Sequence, residues 1–159
     1  MRIIAWIHVV LGLLAIGSGA IVLRGVLGFS VSGHRVARFL ECSLLASLVG
    51  LLPLTRHLLP IQGICILSVY FAGVVVLAWR KFHLDGLWLS VFAFSIVAVL
   101  YLNVVSVSIR LFTCSAQFEM VSTKYGPLFG IAQFAFASVF AVLAVMAVRK
   151  CHTQQTHSF

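Results

Sequence analysis

The chain's six histidines, His8, His34, His57, His83, His152 and His157, are the side chains best equipped for chemistry. An imidazole can ligate a metal or haem iron, move a proton, or hydrogen-bond through two distinct nitrogens. His8 falls near the start of one apolar run, and His57 in a short segment between two others. Gln62, Asn103 and Gln133 lie within a turn or two of one end of three further runs. If those runs are antiparallel rods, all five residues come to one depth, where polar groups need partners. Three chemistries suit such a cluster. It can supply interhelical hydrogen bonds, worth about 0.6 kcal/mol each. It can bind a cofactor, with His8, His57, Gln62, Asn103 and Gln133 around a haem b iron or the carbonyls of a quinone. It can hold a metal. A bis-histidine haem ordinarily takes histidines from deep within two spans, and only His8 lies even partly inside one, so the hydrogen-bonding role leads and no cofactor is expected.

The remaining chemistry is sparse. There is no Gly-x-Ser-x-Gly, P-loop, H-E-x-x-H or C-x-x-C pattern. The acids are Glu41, Asp85 and Glu119, with no two placed for acid–base work. Glu41 follows Arg38 at a spacing that lets the two pair on one helix face, so an interfacial ion pair is expected there, with proton handling by Glu41 as the other reading. His34 and His83, beside Arg35 and Lys81, read as solvated or near lipid headgroups. His152 and His157 adjoin Cys151 too irregularly for a zinc site. Cys42, Cys65, Cys114 and Cys151 read as reduced structural residues.

The elements that must position these residues follow from composition. Of 159 residues 62% are apolar and 9% charged, against roughly 45–50% and 25% in soluble domains; mean hydropathy is +1.16. So few charges cannot cover a soluble globule of this size, and disorder or a disulfide-stapled miniprotein is excluded as well. The net charge of +8 is scattered between apolar runs, so no nucleic-acid partner is expected. The class left is a polytopic membrane protein. Lipid offers no partner to backbone N–H and C=O groups, and the runs are apolar all round rather than alternating, so they must be helices.

Five spans of about the roughly 20 residues needed to cross are expected: Ile3–Leu23, Val36–Leu54, Pro60–Trp79, Leu87–Ile109 and Pro127–Val148. The fold class is thus an all-α bundle of about five transmembrane helices over residues 1–150, with a polar, frayed tail over 151–159. The first run is longer than the usual signal-peptide core of about 7–15 residues and reads as a retained span, with cleavage after the small residues Gly17-Ser18-Gly19-Ala20 as the other reading. Arg24, Arg35, Arg38, Arg80, Lys81, Arg149 and Lys150 fall on one side; Arg2, Arg56, Arg110 and Lys124 fall on the other. The positive-inside bias puts the richer side in the cytoplasm, with the N-terminus outside and the C-terminus inside. Trp79 and Trp88 flank the inner loop as interfacial anchors; Trp6 and Tyr125 do so outside. Pro53 and Pro60 bracket a tight outer turn over Leu54–Leu59, making the second and third spans antiparallel neighbours. Leu111–Gly126 reads as a longer outer loop, either an irregular lid or a short surface helix. Small residues at Ala15 and Gly19, at Cys42, Ala46 and Gly50, and at Ala137 and Ala141 read as helix seams, within the chain or between subunits.

Several stretches resemble a family of small bacterial polytopic inner-membrane proteins known only as a domain of unknown function. They are Ile7-His8-Val9-Val10-Leu11-Gly12 with Ile16-Gly17-Ser18-Gly19-Ala20, His57-Leu58-Leu59-Pro60-Ile61-Gln62, Leu67-Ser68-Val69-Tyr70, Leu77-Ala78-Trp79-Arg80-Lys81-Phe82-His83, Val99-Leu100-Tyr101-Leu102-Asn103-Val104, and Gln133. The resemblance implies the fold and the bacterial inner membrane, and no catalytic residue. It departs at Arg56, where such proteins often carry a second histidine, and in the outer loop, where little beyond Pro127 matches. The function expected is a non-enzymatic integral membrane protein, an accessory or helix-packing subunit contacting membrane lipids and partner subunits or further copies of itself. The other reading is a redox protein binding haem or quinone at the outer polar cluster. A transporter would need a charged midplane site that the spans do not offer.

Overall fold

The computed structural model describes residues 2–28, 31–52, 60–84, 87–114 and 118–156, with side-chain surroundings in the last segment described for 130–149. The described residues form five helices, α1 (Arg2–Leu27), α2 (Gly33–Leu51), α3 (Pro60–Arg80), α4 (Leu87–Cys114) and α5 (Phe118–Thr156). Each expected span lies within or largely overlaps one of them. Four contain segments long and apolar enough to cross a membrane: Trp6–Leu27, Gln62–Arg80, Leu87–Leu111 and Gly130–Arg149. α2 is not among them, because Arg35, Arg38 and Glu41 fall in its first half.

Helix α1 packs on α2, α2 on α3, α3 on α4 and α4 back on α1, closing a four-helix ring. α2 and α4 therefore stand diagonally across it. α5 lies outside, against α4 and the edge of α1. The ring follows from spacing: α2 buries Val36, Phe39, Leu40, Ser43, Ala46, Ser47 and Gly50, and α3 buries Gln62, Cys65, Ser68, Ala72, Val75 and Ala78. Steps of three and four residues keep one stripe facing inward. The apolar core gathers at the end where α1 finishes and α2 begins, around Phe39, Phe92, Ile96 and Val75.

The seams expected in α1 and α2 are internal: Ala15 and Ala46 are buried, and Gly19 and Gly50 with them. In α5 the expected seam is turned outward, since Ala141 is exposed and Ala137 only half-buried; Ala144 and Ala147 face the core instead. The expected turn at Leu54–Leu59 lies outside the described residues. Two expectations change. The sixteen-residue outer loop shrinks, because α4 runs on to Cys114 and α5 begins at Phe118. Gly126 and Pro127 do not stop that helix; such residues are tolerated where surroundings re-satisfy the freed backbone groups. The tail is also helical as far as Thr156, since residues 151–156 contain neither Gly nor Pro.

The α3–α4 turn is held by aromatic packing. Phe82 stacks flat on Trp88, ring centroids 3.7 Å apart, and Trp79 meets Phe92 at 5.4 Å. His83 and Leu84 take positive φ values of 47° and 62°, which swings the Leu84 N–H back to the Ala78 carbonyl at 3.2 Å.

Candidate functional site

His8 begins the inward stripe of α1, followed by Gly12, Ala15, Gly19 and Val22. A Cβ at Gly12 would run into the side chain of Val107, so the missing side chain there sets how closely α1 approaches α4. That approach carries the imidazole of His8 into the bundle, where it is 2% exposed.

Both ring nitrogens are engaged. Nδ1 lies 2.8 Å from the Ala46 carbonyl on α2, and Nε2 lies 2.9 Å from the Ser106 hydroxyl on α4. A carbonyl only accepts, so Nδ1 carries the proton and donates. In the neutral ring Nε2 then accepts from Ser106, an assignment made from the bonding pattern. His8 thus ties the two diagonal helices together through a third. A Cβ on Gly50 would stand 2.9 Å from His8 Cε1 and crowd Cys65 Sγ. Cys65 on α3 is itself within side-chain hydrogen-bonding range of Ser106. Arg110 follows one turn beyond Ser106 on α4.

A second bridge lies one turn deeper. The Asn103 amide nitrogen donates to Ser43 Oγ at 3.0 Å and to the Val99 carbonyl at 2.9 Å. Ser43 and Ala46 are three residues apart on α2, as are Asn103 and Ser106 on α4. The result is a ladder of two polar rungs across the bundle's diagonal.

Of the five residues singled out from sequence, His8 and Asn103 sit on these adjacent rungs. Gln62 is buried to 1% exposure on α3, one turn before Cys65. Gln133 is on α5, outside the ring; it is half-buried, and its Oε1 is enclosed without a hydrogen-bond partner among the described residues. His57 lies outside the described residues. Sequence reasoning missed Ser43, Ser106, Cys65 and the role of Gly50. Serines are common in apolar helices, so each alone carries little signal; their spacing against Ala46 and Asn103 is what marks them. The expected Arg38–Glu41 ion pair does not form: both side chains are exposed, and no ion pair joins them. Cys42 and Cys65 are free thiols, one half-buried and one buried.

Ser106, His8 and the Ala46 carbonyl reproduce the order of a hydroxyl, a base and an orienting acceptor. His8 at 2% and Ser106 at 5% exposure are both enclosed by the helices around them. A haem iron would have to displace Ser106 from Nε2, and a quinone carbonyl would have to displace Ala46 from Nδ1. The space at the Gly50 flank of the ring is already closed by Gly50 and Cys65. As built, both nitrogens of His8 are taken by partners within the chain. Compared with family models, with curated proteins and with solved structures, the chain finds no match in any of the three.

Proposed function

We propose that this chain is a non-enzymatic integral membrane protein, an accessory and helix-packing subunit of an assembly in a bacterial inner membrane. The observation that carries the reading is that His8 has both nitrogens bonded to neighbouring helices of its own chain. The most chemically capable side chain in the bundle is spent on architecture. α5 adds support: its apolar segment is 6% buried, leaving Phe134, Val142 and Met146 outward for lipid or a partner helix. The charge count favours an external N-terminus and a cytoplasmic C-terminus, and the family resemblance agrees with the membrane assigned.

The test is purification in mild detergent, with a visible spectrum and sizing of the intact particle. The expected result is a colourless protein that migrates in a complex of fixed stoichiometry. A Soret band that disappears in His8→Ala would overturn the proposal in favour of haem binding. Reporter fusions at the C-terminus test orientation, with activity expected only for a cytoplasmic reporter.

A further inference from the structure

α2 and α3 close only part of their common face. They leave a groove of about 620 Å³ on the flank of the ring, within the size range of small-molecule sites. Its walls include Leu40, Leu44 and Val76, while His34, Trp79 and Arg80 stand toward one end. Gly33 and Trp79 face each other across that mouth.

The mouth is positive at the end where Arg80 meets the start of α2. α2 starts there with no acidic residue in its first turn, and its N-cap Ser32 makes no side-chain capping bond. Arg80 ends α3 on the groove wall and Lys81 follows it, whereas Arg35 and Arg38 lie on other faces of α2. A helix N-terminus is itself partly positive, so Arg80 and the start of α2 together favour an anion at this end of the groove. Glu41 is the acidic side chain on the groove wall. It lies two turns further in, roughly 10 Å from His34 by helical rise, and leaves the mouth net positive.

We propose that this groove holds an anionic phospholipid of the surrounding membrane. The phosphate lies at the mouth beside Arg80 and the start of α2, and one acyl chain lies along Leu40, Leu44 and Val76. A free phosphate would match the mouth but leave the apolar walls without a partner. A lipid without net charge would match the walls, but it brings its own cation beside the phosphate and so answers Arg80 less well. The proposal rests on the membrane setting of the bundle and not on its accessory role, so either can fail while the other stands.

The full chain in mild detergent is offered phosphatidylglycerol or phosphatidylcholine at equal concentration, and retained lipid is counted by native mass spectrometry. One phosphatidylglycerol is expected to stay bound in preference to phosphatidylcholine. Arg80→Gln, at an exposed position, is expected to lower that retention roughly fivefold. Ala37→Phe, which fills the groove, is expected to abolish it with the helical circular dichroism spectrum unchanged. If Ala37→Phe does not fold, Arg80→Gln alone decides. Equal retention of the two lipids, or unchanged retention in a folded variant, overturns the proposal. Displacement of the lipid by millimolar inorganic phosphate also overturns it, by assigning the mouth to a free anion.

Discussion

α4 and α5 are matched in apolar character and opposite in placement. Their membrane-length segments have mean hydropathies of 2.2 and 2.3, yet 61% of the first is buried within the protein and 6% of the second. Hydropathy measures whether a helix leaves water, which both do. It does not measure whether the helix prefers protein to lipid, since lipid tails are as apolar as a leucine side chain. What separates them is the inward set. α4 turns Ala93, Ser95, Asn103 and Ser106 to its neighbours, small or polar groups that approach closely or bond. Within the described stretch 130–149, α5 buries Ala144 and Ala147 alone, and Ser138 bonds its own helix at Phe134.

The sharpest way to break this comparison is a matched pair of truncations. Phe92→Ala on α4 removes a ring that is 1% exposed. It should cost about 3 kcal/mol, the lower end of the range for buried aromatic truncations, because lipid already shields the ring in the unfolded reference. Phe134→Ala on α5, at 76% exposure, should stay within about 0.5 kcal/mol. SDS-titrated unfolding of both variants measures the difference, and equal losses would defeat the inside–outside assignment. Next in size is Gly50→Val, which drives a branched side chain against His8 and Cys65. A loss of about 1–3 kcal/mol is expected in the same titration, with a lower melting temperature in detergent.

A smaller effect isolates the upper rung of the ladder. His8→Phe keeps an aromatic ring and removes two hydrogen bonds, so about 1 kcal/mol should be lost at roughly 0.6 kcal/mol per bond. Combining it with Ser106→Ala should cost less than the sum of the two single changes, because the bond they share is counted once. Smallest of all is Ser138→Ala on α5. Its hydroxyl bonds the Phe134 carbonyl within its own helix at 2.9 Å, and its unfolding curve should overlay that of the unaltered protein.

The sequence made the helices legible because the apolar runs are long and the membrane leaves the backbone one solution. It also made legible that His8 and Asn103 would come to a similar depth, since both follow from counting residues along antiparallel rods. The rungs were harder to foresee. Nothing in Ser43 or Ser106 alone says that it faces a histidine or an amide; that depends on which helices stand diagonally, a property of the ring and not of any one run. Gly126 and Pro127 misled for a related reason. In water they punctuate a chain, whereas in this protein the helix continues past them. The peripheral place of α5 was not legible at all, because its hydropathy matches that of the helix it leans on.

The upper rung spans a separation of 98 residues, from His8 to Ser106. A ribosome must therefore deliver three helices before the partner of the first emerges. In that interval the imidazole can hold the Ala46 carbonyl but has nothing for its other nitrogen. A nascent chain halted after α3 would present a half-satisfied histidine to the insertion machinery, and arrival of α4 would latch the whole barrel-stave arrangement at once. Synthesis order thus leaves the upper rung incomplete until α4 arrives.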